Sequence, residues 1–115
     1  MSNNLEEIRV DLARFSSEPY PVFADRDRGL RCREEARLAK LEEDPEAAVE
    51  VVIPDSTVTL TGSFFQGMFG ASVRNLGETG FRAKYRFKCG SHILRRIDYG
   101  IQRALAPEES LLIQP

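Results

Sequence analysis

The stretch from Ala47 to Leu76 restricts the architecture of this chain more than any other. Ala47 to Ile53 is an almost unbroken apolar run, rich in valine and interrupted only by Glu50. Such a run suits a central strand covered on at least one face. After Pro54-Asp55, the residues Thr57 to Thr61 alternate small polar and apolar side chains and re-enter the sheet. Gly62 breaks that strand, and Phe64, Phe65, Met68, Phe69, Val73 and Leu76 follow at helical spacing up to Gly77. The pattern predicts a helix from Ser63, with Ser63 as its N-cap and Gly77 as its stop.

The flanks extend this into an alternating series. Ile8, Val10 and Leu12 alternate with Arg9 and Asp11, which predicts a strand over 7–14. A loop with Pro19 and Pro21 separates it from a helix-forming segment that runs from Asp25 to Glu43 and must end before Pro45. Phe81, Ala83, Tyr85 and Phe87 alternate with Arg82, Lys84, Arg86 and Lys88, which predicts a strand over 81–88 with one basic face. Gly90-Ser91 then opens a helix carrying Ile93, Leu94, Ile97, Ile101 and Leu105 inward, stopped by Pro107. The order is βαβαβα: one α/β domain over 1–115, with a core at about 7–106 and a C-terminal tail at 107–115. Its sheet is mixed or parallel, with helices mainly on one face.

A chain of 115 residues can bury a core without disulfides or metals. Cys32 and Cys89 lie on differently patterned segments and read as reduced thiols, and no ligand spacing for a metal or fingerprint for a nucleotide cofactor stands out. No apolar run approaches a membrane span, and the N-terminus carries Glu6 and Glu7 where a signal peptide would be basic and then apolar, so the expected location is the cytoplasm. Residues 1–50 hold 8 Lys/Arg against 13 Asp/Glu, whereas 80–106 hold 7 Lys/Arg against one acid, so the surface should be polarised.

Few residues invite chemistry. Cys89 and His92 suggest a nucleophilic dyad at a helix start, the basis of an alternative reading as a small cysteine/histidine enzyme. Arg82, Lys84 and Arg86, with Arg95, Arg96 and Arg103 nearby, suggest an anionic-ligand or nucleic-acid binder, although an acidic isoelectric point and the lack of a nucleic-acid motif make nucleic acid an unexpected partner. Gly67 and Gly70 inside a helix imply close approach by another element or chain.

Three stretches taken together resemble a known family: Asp25-Arg26-Asp27-Arg28-Gly29-Leu30 at the first helix start, Val49 to Ile53 leading through Val58 and Leu60 to Ser63-Phe64, and Phe69-Gly70. They are similar to the STAS-like domain family of unknown function, a branch related to sulphate-transporter and anti-sigma-factor-antagonist domains, over residues 7–106. Arg26, Gly29, Ser63, Phe64, Phe69 and Gly70 match its pattern. Asp25 stands where that family has threonine, Pro54-Asp55 where it has an aspartate-aromatic pair, and Gly62 where the phosphorylated antagonists have aspartate. The resemblance implies a bacterial, cytoplasmic signalling role: a regulatory protein–protein interaction module, not an enzyme, without cofactor or metal. Its expected partner is a kinase-like ATPase or another signalling protein, with a homodimer as a further option. Phosphorylation at the helix start would gate binding, and the expected regulatory or partner-binding residues are Ser63, Gly62, Phe64, Gly67, Gly70 and Arg26.

Overall fold

The computed structural model describes residues 7–106. The tail at 107–115, read from sequence as outside the core, lies beyond those residues. Strand β1 (Glu7–Asp11) pairs in parallel with β3 (Ala48–Val52), and β3 pairs in parallel with β5 (Tyr85–Lys88), giving the order β1-β3-β5. A second, two-stranded parallel sheet joins β2 (Val22–Phe23) to β4 (Thr59–Leu60). Helices α1 (Arg26–Ala36), α2 (Leu38–Leu41), α3 (Gly62–Phe65), α4 (Ala71–Lys84) and α5 (Ser91–Leu105) fill the connections.

The register explains why the helices lie on one face. Val10 is opposite Val51, which is opposite Phe87, while Val49 stands between Ile8 and Tyr85. In-register partners of parallel strands share a face, so these side chains form the inner surface. Arg9, Glu50 and Arg86 form the opposite row, with Arg9 and Glu50 paired at 3.3 Å. A charged row cannot take a helix without costly desolvation, so this face stays open to water.

Three boundaries differ from the sequence reading. The first strand ends at Asp11, whose side-chain oxygen accepts from the Ala13 N–H at 2.9 Å and turns the chain into a 3-10 segment, Leu12–Phe15. The first long helix is broken at Arg37, which takes a left-handed conformation (φ 58°) between α1 and α2. The strand expected over 81–88 begins only at Tyr85, because Gly77 (φ 75°, ψ 169°) turns the chain and a helical segment resumes up to Lys84. Burial shows the period: Phe81, Lys84 and Tyr85 are buried and Ala83 is exposed, the helical spacing i, i+3, i+4 and the reverse of what a strand would do at 83 and 84.

The core is continuous across both sheets. Phe64, Phe65, Met68 and Phe69, all fully buried, line a single rod made of α3, a π-helical turn (Gln66–Gly70) and the first part of α4. Phe64 meets Phe23 of the small sheet at 5.5 Å between ring centroids, while Phe69 meets Tyr85 and Phe87 of the larger sheet at 5.6 and 5.3 Å. Helix α5 lays Ile93, Ile97, Ile101 and Ala104 against the same rod.

Candidate functional site at the paired helix starts

The two short parallel strands end side by side, and each leads straight into a helix. β2 runs through Ala24 and Asp25 into α1, and β4 runs through Thr61 into α3. The carboxyl ends of parallel strands, where helix N-termini point their free N–H groups outward, are the usual place for binding in α/β folds.

Ser63 lies at this end, but it is not the cap. Thr61 is: its hydroxyl accepts from the Phe64 N–H at 3.2 Å and its carbonyl accepts from the Phe65 N–H at 3.0 Å. The sequence reading placed the cap two residues late because Thr61 looked like the last residue of a strand. Ser63 therefore sits in the first helical turn, exposed, with no hydrogen-bond partner for its hydroxyl among the described residues. Gly62 beside it is exposed, and a methyl group added there would meet nothing within 4 Å.

The remaining residues singled out from the sequence divide into two groups. Arg26 is exposed at the neighbouring helix start, and its backbone carbonyl packs on Gly67 so closely that a Cβ on Gly67 would fall on that oxygen. Gly29 returns the contact, since a Cβ there would fall on the Phe64 carbonyl. The close approach that Gly67 suggested is thus made by α1, which fixes the two helix starts beside each other. Phe64 and Gly70 are buried, and a Cβ on Gly70 would press on the side chains of Gln66 and Arg74. Near the same strand pair, Tyr20, Val22 and Val58 leave 69%, 44% and 56% of their surface in water.

Among the described residues no hydrogen bond joins Cys89 to His92. The His92 Nε2 faces the Thr57 carbonyl at 3.1 Å and donates to it. Burial, with Asp55 and Asp98 adding to it, pushes the Cys89 thiol up, the opposite of what a nucleophile at neutral pH requires. The basic strand also dissolves. Arg82 sits on α4 and pairs with Glu78 and Asp98 at 3.1 Å each, while Lys84 is buried and donates to the Asp44 carbonyl at 2.7 Å. Only Arg86 and Lys88 remain on β5 as exposed cations.

One polar cluster had no signal in the sequence. Glu42, at the end of α2, accepts hydrogen bonds from the hydroxyls of Ser72 and Tyr85, and its carboxylate lies 3.8 Å from the Arg33 guanidinium. Arg33 also donates to Ser72 Oγ at 2.7 Å and to the Met68 carbonyl at 2.9 Å, inside the π-helical turn where the regular ladder is interrupted. Burial and the Glu42 carboxylate push the Tyr85 hydroxyl well above its ordinary range, so it remains a donor. The cluster ties α1, α2, α4 and β5 together and gives its largely buried polar groups hydrogen-bond partners.

Among the described residues no group of three or more His, Cys, Asp or Glu side chains is placed to hold a metal ion, and no helix is long and apolar enough to cross a membrane. Compared with models of known protein families, with curated proteins and with solved structures, the chain gives no match in any of the three.

Proposed function

We propose that the protein is a regulatory interaction module of the STAS-like kind, which docks a signalling protein at the paired helix starts and is released by phosphorylation of Ser63. The observation that carries this reading is the exposed Ser63 hydroxyl in the first turn of a helix whose cap is supplied by Thr61 and whose next residues, Phe64 and Phe65, are buried. A cap serine would be committed to its own helix. A serine freed of that duty is available to a kinase. A phosphate there gains from the free N–H groups and the helix dipole, so the modified state is stable, while about −1.5 to −2 of charge is added to the docking surface. Exposed Val22 on β2, with Tyr20 and Val58 in the loops that lead into the two strands, supplies an apolar neighbourhood beside the small sheet. A kinase-like ATPase in a bacterial cytoplasm is the partner this reading favours.

The test is site-specific photo-crosslinking in cells, with the crosslinker at exposed position 62, where an added side chain meets nothing within 4 Å, or, as a control, at position 103 on α5. A discrete adduct at 62 that identifies an ATPase, is absent at 103, and disappears when the same chain also carries Ser63→Glu supports the proposal. Equal crosslinking at both positions, or a partner indifferent to Ser63→Glu, refutes it.

A further inference from the structure

A groove of about 410 Å³ opens between the 3-10 segment, the Ser16-Ser17 turn and α1. Arg14, Arg28 and Arg31 line it, with Glu35 as the one acid. The balance is three cations against one anion, a surplus of +2, in a chain whose net charge is −2.

Among the described residues Arg14, Arg28 and Arg31 have no carboxylate within 4 Å, as is true of most cations of the chain, and what sets these three apart is that they line one concavity. Arg28 is held in place by neutral groups: its two terminal nitrogens donate to the carbonyls of Val22 at 2.7 Å and Phe15 at 2.9 Å, and it lies 5.3 Å from the Phe23 ring centroid. Those bonds fix the guanidinium and leave its charge uncompensated. Arg14 sits 5.0 Å from the centroid of the Phe15 ring, and Arg31 is one turn along α1 from Arg28. Gathering like charges around a concavity costs free energy unless an anion joins them, and the concave shape concentrates their field. Part of the lining is apolar, formed by Phe15 and the nearly buried Cys32, whose thiol is pushed up by burial and so remains neutral.

We propose that this groove binds a small organic phosphate monoester, its phosphate among Arg14, Arg28 and Arg31 and its organic part over Phe15 and Cys32. A phosphate monoester near neutral pH carries about −1.5 to −2 and three acceptor oxygens, which match the +2 surplus and the three guanidinium groups. A carboxylate offers half that charge. The volume lies in the range of small-molecule sites, about 300–1,000 Å³.

Phenyl phosphate is the probe, titrated calorimetrically into the full chain beside inorganic phosphate. Expected is saturable binding with one site per chain, several-fold tighter for phenyl phosphate than for inorganic phosphate because the ring uses the apolar lining. The exposed pair Arg14→Gln/Arg31→Gln should weaken it by about tenfold or more, the scale of lost charge-assisted hydrogen bonds, with an unchanged circular dichroism spectrum. Glu35→Gln should tighten it. The pair Arg95→Gln/Arg103→Gln, which removes the same charge from α5, should leave it as it was. Failure of phenyl phosphate to saturate, or equal weakening by the groove pair and the α5 pair, would overturn the site.

Discussion

Single residues decide more here than their number suggests, because several buried atoms are held on very narrow terms. Thr57 is 3% exposed and its hydroxyl has no hydrogen-bond partner among the described residues, so Thr57→Val removes a buried unsatisfied group at nearly constant volume. The expected result in urea denaturation is a stability unchanged or raised by about 1 kcal/mol, where a lost hydrogen bond would have lowered it. Gly67→Ala acts in the other direction. Its methyl group would land on the Arg26 carbonyl, a backbone atom that cannot swing away, and the cost should be about 3 kcal/mol or more by the same measurement. Tyr85 gives a pH signature. Its proton is held more tightly in the folded chain, where the pKa is raised, than in the unfolded chain, where it is about 10. The contribution is therefore fully present below pH ~10 and is lost as pH rises further, when only the unfolded state releases its proton. Tyr85→Phe should flatten that alkaline limb, although it lowers stability near neutrality by freeing Glu42 of one donor, and a series of melts across the alkaline range would show both effects.

At the level of elements, what the sequence made legible was periodicity, and what it concealed was where one period gives way to another. The valine run, the phenylalanine-rich helix and α5 stand where their patterns place them, because one strongly apolar face leaves no second way to bury it, although Leu94 and Leu105, read as inward on α5, are exposed. The segment 81–88 misleads because Phe81 and Tyr85 lie four residues apart, a separation that fits both the two-residue period of a strand and one turn of a helix. Only Gly77, by redirecting the chain, decides in favour of helix up to Lys84. The same ambiguity hid the true cap, since Thr61 satisfies the alternation of β4 and the chemistry of a helix start at once. The Glu42 cluster and the arginine groove were beyond reach for another reason: their members lie on separate elements, and no spacing along the chain announces them. Two helix predictions follow. Gly77→Ala meets no neighbour, yet φ 75° with ψ 169° is a region nearly restricted to glycine, so the loss of about 1–3 kcal/mol is conformational alone. Ser63→Asp places a negative charge in the first turn of α3 and should raise stability by about 0.3–1 kcal/mol, an effect that added salt reduces. A variant that folds more stably and yet loses its partner would separate the gating role of Ser63 from any structural one.

For the molecule as a whole, the question is whether two small sheets make two folding units or one. Neither sheet could stand alone: the β2–β4 pair has two residues per strand, and the three-stranded sheet presents a charged row on its outer face. Both lean on the rod from Gly62 to Leu76, which gives Phe64 to one and Phe69 to the other, and a single buried cluster runs from Val10 and Phe23 through to Ile101. A core shared in this way leaves no surface along which one part could open and keep the other folded, so unfolding should be a single cooperative transition. The chain has no tryptophan, which allows a clean reporter: Tyr20→Trp, at an exposed site beside the small sheet, reads that end by fluorescence, while far-ultraviolet circular dichroism reads the helices throughout. The two urea curves should superimpose. Phe23→Leu, which weakens the core at the small sheet, should move both midpoints together and by the same amount, as should Phe69→Leu at the other. A fluorescence midpoint that falls below the dichroism midpoint would mean that the paired helix starts open before the rest. The docking surface around Ser63 would then be a separately melting unit and not the rigid end of a shared core.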